Sequence, residues 1–255
     1  MSHMEEKALA VSVRGLSFGW GRKPVLKSLD LDVEAGEVMA VVGANGAGKS
    51  TLLTLLSGSE PYRRRFWPPR RGTKVEVLGM DPVRSGHGVR SAVGYVHDHL
   101  ELPPWMRVRD HVALVRALYA DWDQGACDGW LGKFDVDPGT PYGDLSKGQR
   151  MLENLAVVLA RKPQLMLLDE PFSGLDPVAR RLVTEGIIES LCEDERSVIL
   201  VSHSVTDVAR CADRVALFGD GRVQEVATVD ELRSRSSTGD LEDSIFETAM
   251  EGRAA

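Results

Sequence analysis

The feature that most constrains this chain is the segment Gly43-Ala44-Asn45-Gly46-Ala47-Gly48-Lys49-Ser50-Thr51. It satisfies the pattern G-x-x-x-x-G-K-[ST] and stands between an apolar run, Val38-Met39-Ala40-Val41-Val42, and an apolar helical stretch from Ser50 to Ser57. A short continuous run of that kind reads as a strand buried on both faces of a parallel sheet. The glycines let successive backbone N–H groups converge on phosphate oxygens, an approach that side chains would obstruct. A helix starting at about Gly48 adds its positive dipole end. Lys49 is expected to reach the β- and γ-phosphates, and the Ser50 hydroxyl to ligate Mg2+. The segment thus predicts a nucleoside triphosphate site on an α/β scaffold.

A second site residue pair closes another apolar run, Leu165-Met166-Leu167-Leu168-Asp169-Glu170. In a parallel sheet the strand ends face the crevice where ligands bind. Asp169 is expected to hold Mg2+ through its water shell, and Glu170 to polarise the attacking water.

Strand alternation is expected over 11–14 and 25–33, with further strands at Lys74 to Leu78, Ala92 to Val96 and Val198 to Val201. Val215 to Phe218 and Arg222 to Val226 flank Gly219-Asp220-Gly221 as a hairpin. From about Val108 to Ala160 the period turns helical. One face is Val112, Leu114, Val115, Leu118 and Tyr119, and another is Leu152, Leu155, Ala156 and Leu159.

Composition excludes several classes. With 255 residues, 43% of them hydrophobic, the chain can build its own core without disulfides or a structural metal. Three cysteines, Cys127, Cys192 and Cys211, with no C-x-x-C, fit a reducing compartment. A net charge of −7 argues against nucleic acid as a partner. The apolar runs are far shorter than the ~20 residues of a spanning helix. The opening MSHMEEKA holds acids and no apolar signal core, and residues 1–4 read as a cloning remnant.

Between the two phosphate-site segments stands Leu145-Ser146-Lys147-Gly148-Gln149. Here the chain resembles the nucleotide-binding subunit of ATP-binding cassette (ABC) transporters, whose signature is LSGGQ. Phosphate loop, LSKGQ, LMLLDEP, Ser173-Gly174-Leu175-Asp176 and Ser202-His203 follow that family's order and spacing over roughly residues 9–232. The resemblance implies a P-loop NTPase fold of class α/β. Its parts would be a RecA-like core with a mainly parallel sheet, an N-terminal antiparallel β part, and a helical subdomain inserted over about 98–160. It also implies Mg-dependent ATP hydrolysis by a cytoplasmic subunit, peripheral on the inner face of the cell membrane, that energises a separate polytopic permease. Two such subunits would pair head to tail as a homodimer or heterodimer. Ser146 and the Gly148 amide would then serve the γ-phosphate bound by the other chain, and Asp176 would link the two sites. His203 resembles the switch histidine that meets the γ-phosphate and the attacking water. Trp20 stands where the family stacks an aromatic ring on adenine, and Phe18 beside it is expected in the core.

Two residues depart from the family pattern. Lys147 replaces the first glycine of LSGGQ, as is common in the exporter-like branch. Asp98 stands where the family carries a metal-touching Gln, and a carboxylate remains a competent oxygen ligand. Residues 240–246 are similar to an LEDVF tail of exporter-type subunits, within a short C-terminal tail over 233–255. These features favour export over import. A soluble ABC ATPase acting as a mechanical or assembly factor is the alternative. The segment 60–74 carries six basic side chains against one acid, with Tyr62, Phe66 and Trp67 between them. It is read as a solvated loop with its aromatics on the core, as a contact with the permease or with anionic headgroups, or, against the acidic charge of the remainder, as a nucleic-acid contact through stacking and phosphates.

Overall fold

The computed structural model describes residues 8–62, 72–98, 100–194 and 196–235. Two sheets organise them. The first is antiparallel, in the order β2-β1-β4, from β1 (Leu9–Trp20), β2 (Lys23–Glu34) and β4 (Lys74–Val77). Its alternating residues Val11, Val13, Leu16 and Phe18 face Leu26, Leu29, Leu31 and Val33 in one buried layer. Both long strands exceed the expected spans of 11–14 and 25–33. Register shifts in their pairing, with Gly15 and Ser28 at positive φ (60° and 51°), interrupt strict alternation and conceal the continuity.

The second sheet runs β5-β6-β7-β3-β8-β9. Its members are β3 (Val38–Gly43), β5 (Val93–Val96), β6 (Leu165–Asp169), β7 (Ser197–Ser202), β8 (Arg214–Gly219) and β9 (Arg222–Thr228). All neighbours are parallel except β9, which returns beside β8 as the expected hairpin. β6 and β7 are buried along their whole length, so burial on both faces explains their unbroken apolar runs.

Helices α1 (Lys49–Leu56), α2 (Gly86–Ala92), α6 (Pro177–Asp194), α7 (Val205–Cys211) and α8 (Val229–Arg235) join these strands. Between β5 and β6 come α3 (Val108–Leu118), α4 (Gln124–Lys133) and α5 (Lys147–Leu159), which share a core with the sheet. One expected helix face needs correction. Leu114 and Leu118 are 50% and 70% exposed, whereas Val108, His111 and Val112 are buried. Leu114 lies about 200° round the helix from Val112 at 3.6 residues per turn. The inward stripe is instead fixed by His111, which meets Glu153 of α5 at 2.6 Å.

Of the basic segment, Tyr62 is buried and its hydroxyl bonds Asp81 Oδ2 at 3.1 Å. Residues 63–71, like the tail motif at 240–246 and the first seven residues, lie outside the described residues.

Candidate functional site

The phosphate loop leaves the carboxyl end of β3 at the centre of the sheet, and two positions in it tolerate nothing but glycine. A Cβ on Gly43 would lie 2.0 Å from the Phe218 carbonyl oxygen of β8. Gly48 has φ 109°, and a Cβ there would meet Leu26 at 2.9 Å. Lys49 is buried at the start of α1, its ammonium donating to the Gly43 and Ala44 carbonyls at 2.7 and 3.1 Å. Desolvation lowers its pKa, opposed by the charges of Glu170 and Asp169. An ammonium held in that cradle is placed to exchange loop carbonyls for phosphate oxygens.

Next to it the Ser50 hydroxyl donates to Asp169 Oδ1 at 3.0 Å. Burial raises the Asp169 carboxyl above the ordinary carboxylate range, and the Glu170 and Asp98 charges add to the rise against the Ser50 bond and Lys49. A buried carboxylate beside a hydroxyl oxygen is a donor set that suits a hard divalent cation, so these residues fit Mg2+.

Glu170 follows with φ 49°, a left-handed backbone that a side chain seldom adopts. Its N–H donates to the Val201 carbonyl of β7 at 3.0 Å, which pins the turn and aims the carboxylate sideways. There Glu170 Oε2 meets His203 Nδ1 at 2.7 Å. Asn45, Gly46, Gly48, Lys49, Ser50, Thr51, Asp98, Glu170, Ser173 and His203 thus share one cleft of about 510 Å³. Ala44, Ala47 and Trp20 line the adjoining cleft on the other side of the loop. Phe18 is wholly buried, while Trp20 is 41% exposed, its indole N–H reaching Thr51 Oγ1 at 3.3 Å.

The residues lining the Glu170 cleft do not include Ser146, Gly148 or Asp176. Ser146 caps α5, its oxygen accepting from the Gln149 N–H at 3.1 Å. That cap leaves the hydroxyl hydrogen able to donate. Gly148 seats α5 on the loop after Glu170, where an added Cβ would meet Leu175 at 3.0 Å. Asp176 accepts from the Val178 and Ala179 N–H groups at 2.8 and 2.9 Å, capping α6.

Two contacts escape any reading of periodicity or spacing. One is the Glu170–His203 pair. The other is the Lys147 ammonium, 3.0 Å from Asp98 Oδ1 and donating to Ser173 Oγ at 3.1 Å. His97, next to Asp98, stacks on Tyr95 with ring centroids 3.6 Å apart, and burial lowers its pKa.

Comparison with known proteins identifies the family and the fold. The family model described as ABC transporter matches residues 26–173. The aliphatic sulfonates import ATP-binding protein SsuB of Pseudomonas putida is 35% identical, over 88% of this chain and 78% of its own length. The daunorubicin resistance ATP-binding protein DrrA3 of Streptomyces coeruleorubidus is 33% identical, over 96% of this chain and 76% of its own. The ribose import ATP-binding protein RbsA of a Chelativorans species is also 33% identical, but this chain spans 44% of its length. Among solved structures, an ATP-binding subunit of an ABC transporter superposes with a TM-score of 0.80 at 24% identity, covering 95% of this chain and 98% of that one. A dimeric ATP-binding cassette in a post-hydrolysis state with ADP and Pi gives 0.73 at 20% identity, covering 86% and 98%. Phosphate loop, paired acids and family match converge on one assignment: the chain belongs to the ABC transporter family and is one of its ATP-binding ATPases.

Proposed function

We propose that this chain works as one of two head-to-tail Mg-dependent ATPase subunits that energise a separate membrane-spanning permease, in the direction of export. The observation that carries the reading is the division of the site. Asn45, Gly46, Gly48, Lys49, Ser50, Glu170 and His203 share one cleft, with Asp169 bonded to Ser50 behind it, while Ser146 and Gly148 stand at the start of a helix outside it. A helix N-terminus with a donor hydroxyl suits phosphate oxygens, and a second copy would bring it to them. Asp176, in the loop under α5, would then lie near the junction of the two chains. Trp20 offers an exposed ring beside the loop for adenine.

In this reading water attacks the γ-phosphate in line. Glu170, oriented by His203, accepts the water's proton, and Lys49 holds the β- and γ-phosphates. Mg2+ at Ser50 and Asp169, within reach of Asp98, would supply neutralising charge on the phosphates. Export is supported by the LSKG form of residues 145–148 and by likeness to the daunorubicin resistance protein over nearly the whole chain. The domain would span 9–232, with the helical subdomain over about 98–160, on the cytoplasmic face where ATP is available.

Sedimentation of the Glu170→Gln variant tests the pairing. It should dimerise with ATP and Mg2+ and stay monomeric with ADP. A monomer at saturating ATP overturns the head-to-tail site. Purification from membranes tests the partner. A stoichiometric polytopic protein that stimulates hydrolysis is expected, and activity that is unaffected by membranes would favour the soluble assembly factor.

A further inference from the structure

Asp98 stands in the wall between two cavities. On one side is the cleft that also holds Ser50, Glu170 and His203. On the other is a space of about 300 Å³ that Asp98 shares with Lys147, Arg150 and Tyr142. From that second side the Lys147 ammonium approaches to 3.0 Å of Asp98 Oδ1, and it is steadied by Ser173 Oγ at 3.1 Å. Asp98 and Ser173 both line the nucleotide cleft, although Lys147 does not. The lysine is the first residue of α5, so its backbone is fixed by the Ser146 cap and its stem lies against Gly174. The contact is therefore built from three segments that are remote in sequence.

We propose that Lys147 is a positioning residue for the divalent cation: it competes with the metal for Asp98 and so sets the metal affinity of the nucleotide cleft. This rests on the reading of Ser50 and Asp169 as the metal side of an ATP site. Asp98 lines the same cleft as Ser50, whose hydroxyl bonds Asp169 at 3.0 Å. A cation held there would feel Asp98 as well, so Lys147 and the cation both claim that carboxylate. By linkage, whatever Lys147 takes from the metal, the bound metal takes from Lys147. Occupancy of the metal would loosen the tie between Asp98 and the first residue of α5. The two departures from the family pattern, an acid at 98 and a base at 147, are then one device rather than two accidents.

The test is Mn2+ binding, followed by electron paramagnetic resonance, to the purified full chain with a non-hydrolysable ATP analogue. Lys147 is half-exposed, so Lys147→Met leaves no buried gap. Removing this one positive charge near the site should tighten Mn2+ binding roughly 3-fold to 10-fold. Lys147→Arg should behave as the unaltered chain does. Asp98→Asn should weaken Mn2+ binding and abolish the effect of Lys147→Met in the double variant. Unchanged Mn2+ affinity in Lys147→Met overturns the proposal, and so does an equal gain in the Asp98→Asn background, which would mark a diffuse charge effect. If the unaltered chain binds no Mn2+ with the nucleotide analogue, the reading of the ATP site fails first and this inference with it.

Discussion

His203 Nδ1 lies 2.7 Å from Glu170 Oε2, and the His203 backbone N–H points at the same oxygen from 3.4 Å. One strand end thus holds the carboxylate of the next. Together with the left-handed turn at Glu170, this leaves the proposed base little rotational freedom. Glu170→Gln keeps the shape and removes the base, so ATP binding should persist while turnover falls roughly 10²–10⁴-fold. His203→Ala should also lower kcat, through lost orientation of Glu170. Phosphate release measured beside equilibrium nucleotide binding separates the two effects. Near-normal turnover in Glu170→Gln would remove it from the chemistry.

The composite site gives a complementation experiment. Ser146→Ala should reduce hydrolysis with little change in ATP affinity of the monomer, because its hydroxyl serves the other chain's phosphate. Lys49→Ala should lose affinity directly. Mixing the two variants leaves one of the two sites with both residues intact, so some activity should return. Equal loss of monomer affinity in both would place Ser146 in its own chain's site.

Acidity should act on the metal side of the cleft. Burial raises the Asp169 carboxyl, with Glu170 and Asp98 adding to the rise. The proton therefore competes with Mg2+ starting above the ordinary carboxylate range, and the Mg2+ requirement should climb as pH falls. Without metal the sign for folding follows from the same rise. The Asp169 contribution is fully present below the unfolded carboxyl pKa and is lost as pH rises through the folded value. Lys49 shifts the other way, lowered chiefly by burial. Nucleotide affinity should decline on the alkaline side before an ordinary lysine would deprotonate. Metal titrations across pH check both limbs, and Asp169→Asn should flatten the acid one.

Thiol chemistry should be slow in the native chain. Burial pushes Cys127 and Cys211 to about 12, far from a reactive thiolate. Site-resolved alkylation should leave both unmodified until urea unfolds the protein. Rapid native labelling of Cys127 would mean that α4 opens readily.

The architecture was legible where burial leaves a simple pattern. Val38–Val42 and Leu165–Leu168 are apolar on both faces, and they prove to be β3 and β6, carrying the loop and the acids to one edge. The phosphate loop was legible for a related reason, because its glycines answer local sterics. What stayed hidden depends on distant partners. Nothing in the sequence around Leu114 shows that α3 turns it outward, since the rotation is set by Glu153 across the interface. Likewise Lys147 reads alone as a lost glycine and Asp98 alone as a shortened glutamine, and their contact exists only in the fold. The register shifts along β1 hid most of that strand by breaking the period that identifies it, whereas β2 was read nearly whole.

That buried partner of α3 carries the last prediction. His111 and Glu153 are 6% and 0% exposed and meet at 2.6 Å, joining α3 to α5 inside the core. Tyr142 and Cys127 lie close enough to feel the Glu153 charge, each raised mainly by its own burial. Glu153 Oε2 has no hydrogen-bond partner among the described residues, so the carboxylate depends on His111. Removing one member leaves the other buried and unpaired. His111→Ala or Glu153→Ala should therefore cost roughly 2–5 kcal/mol in urea unfolding. An apolar pair, His111→Leu with Glu153→Leu, should recover most of that loss, because neither buried polar group then lacks its partner. The helix they anchor begins at Ser146 and Lys147, so the single variants should also speed amide exchange at the start of α5. Single variants that match the unaltered chain in unfolding, or a double variant no better than either, would show that the pair does not hold α3 to α5.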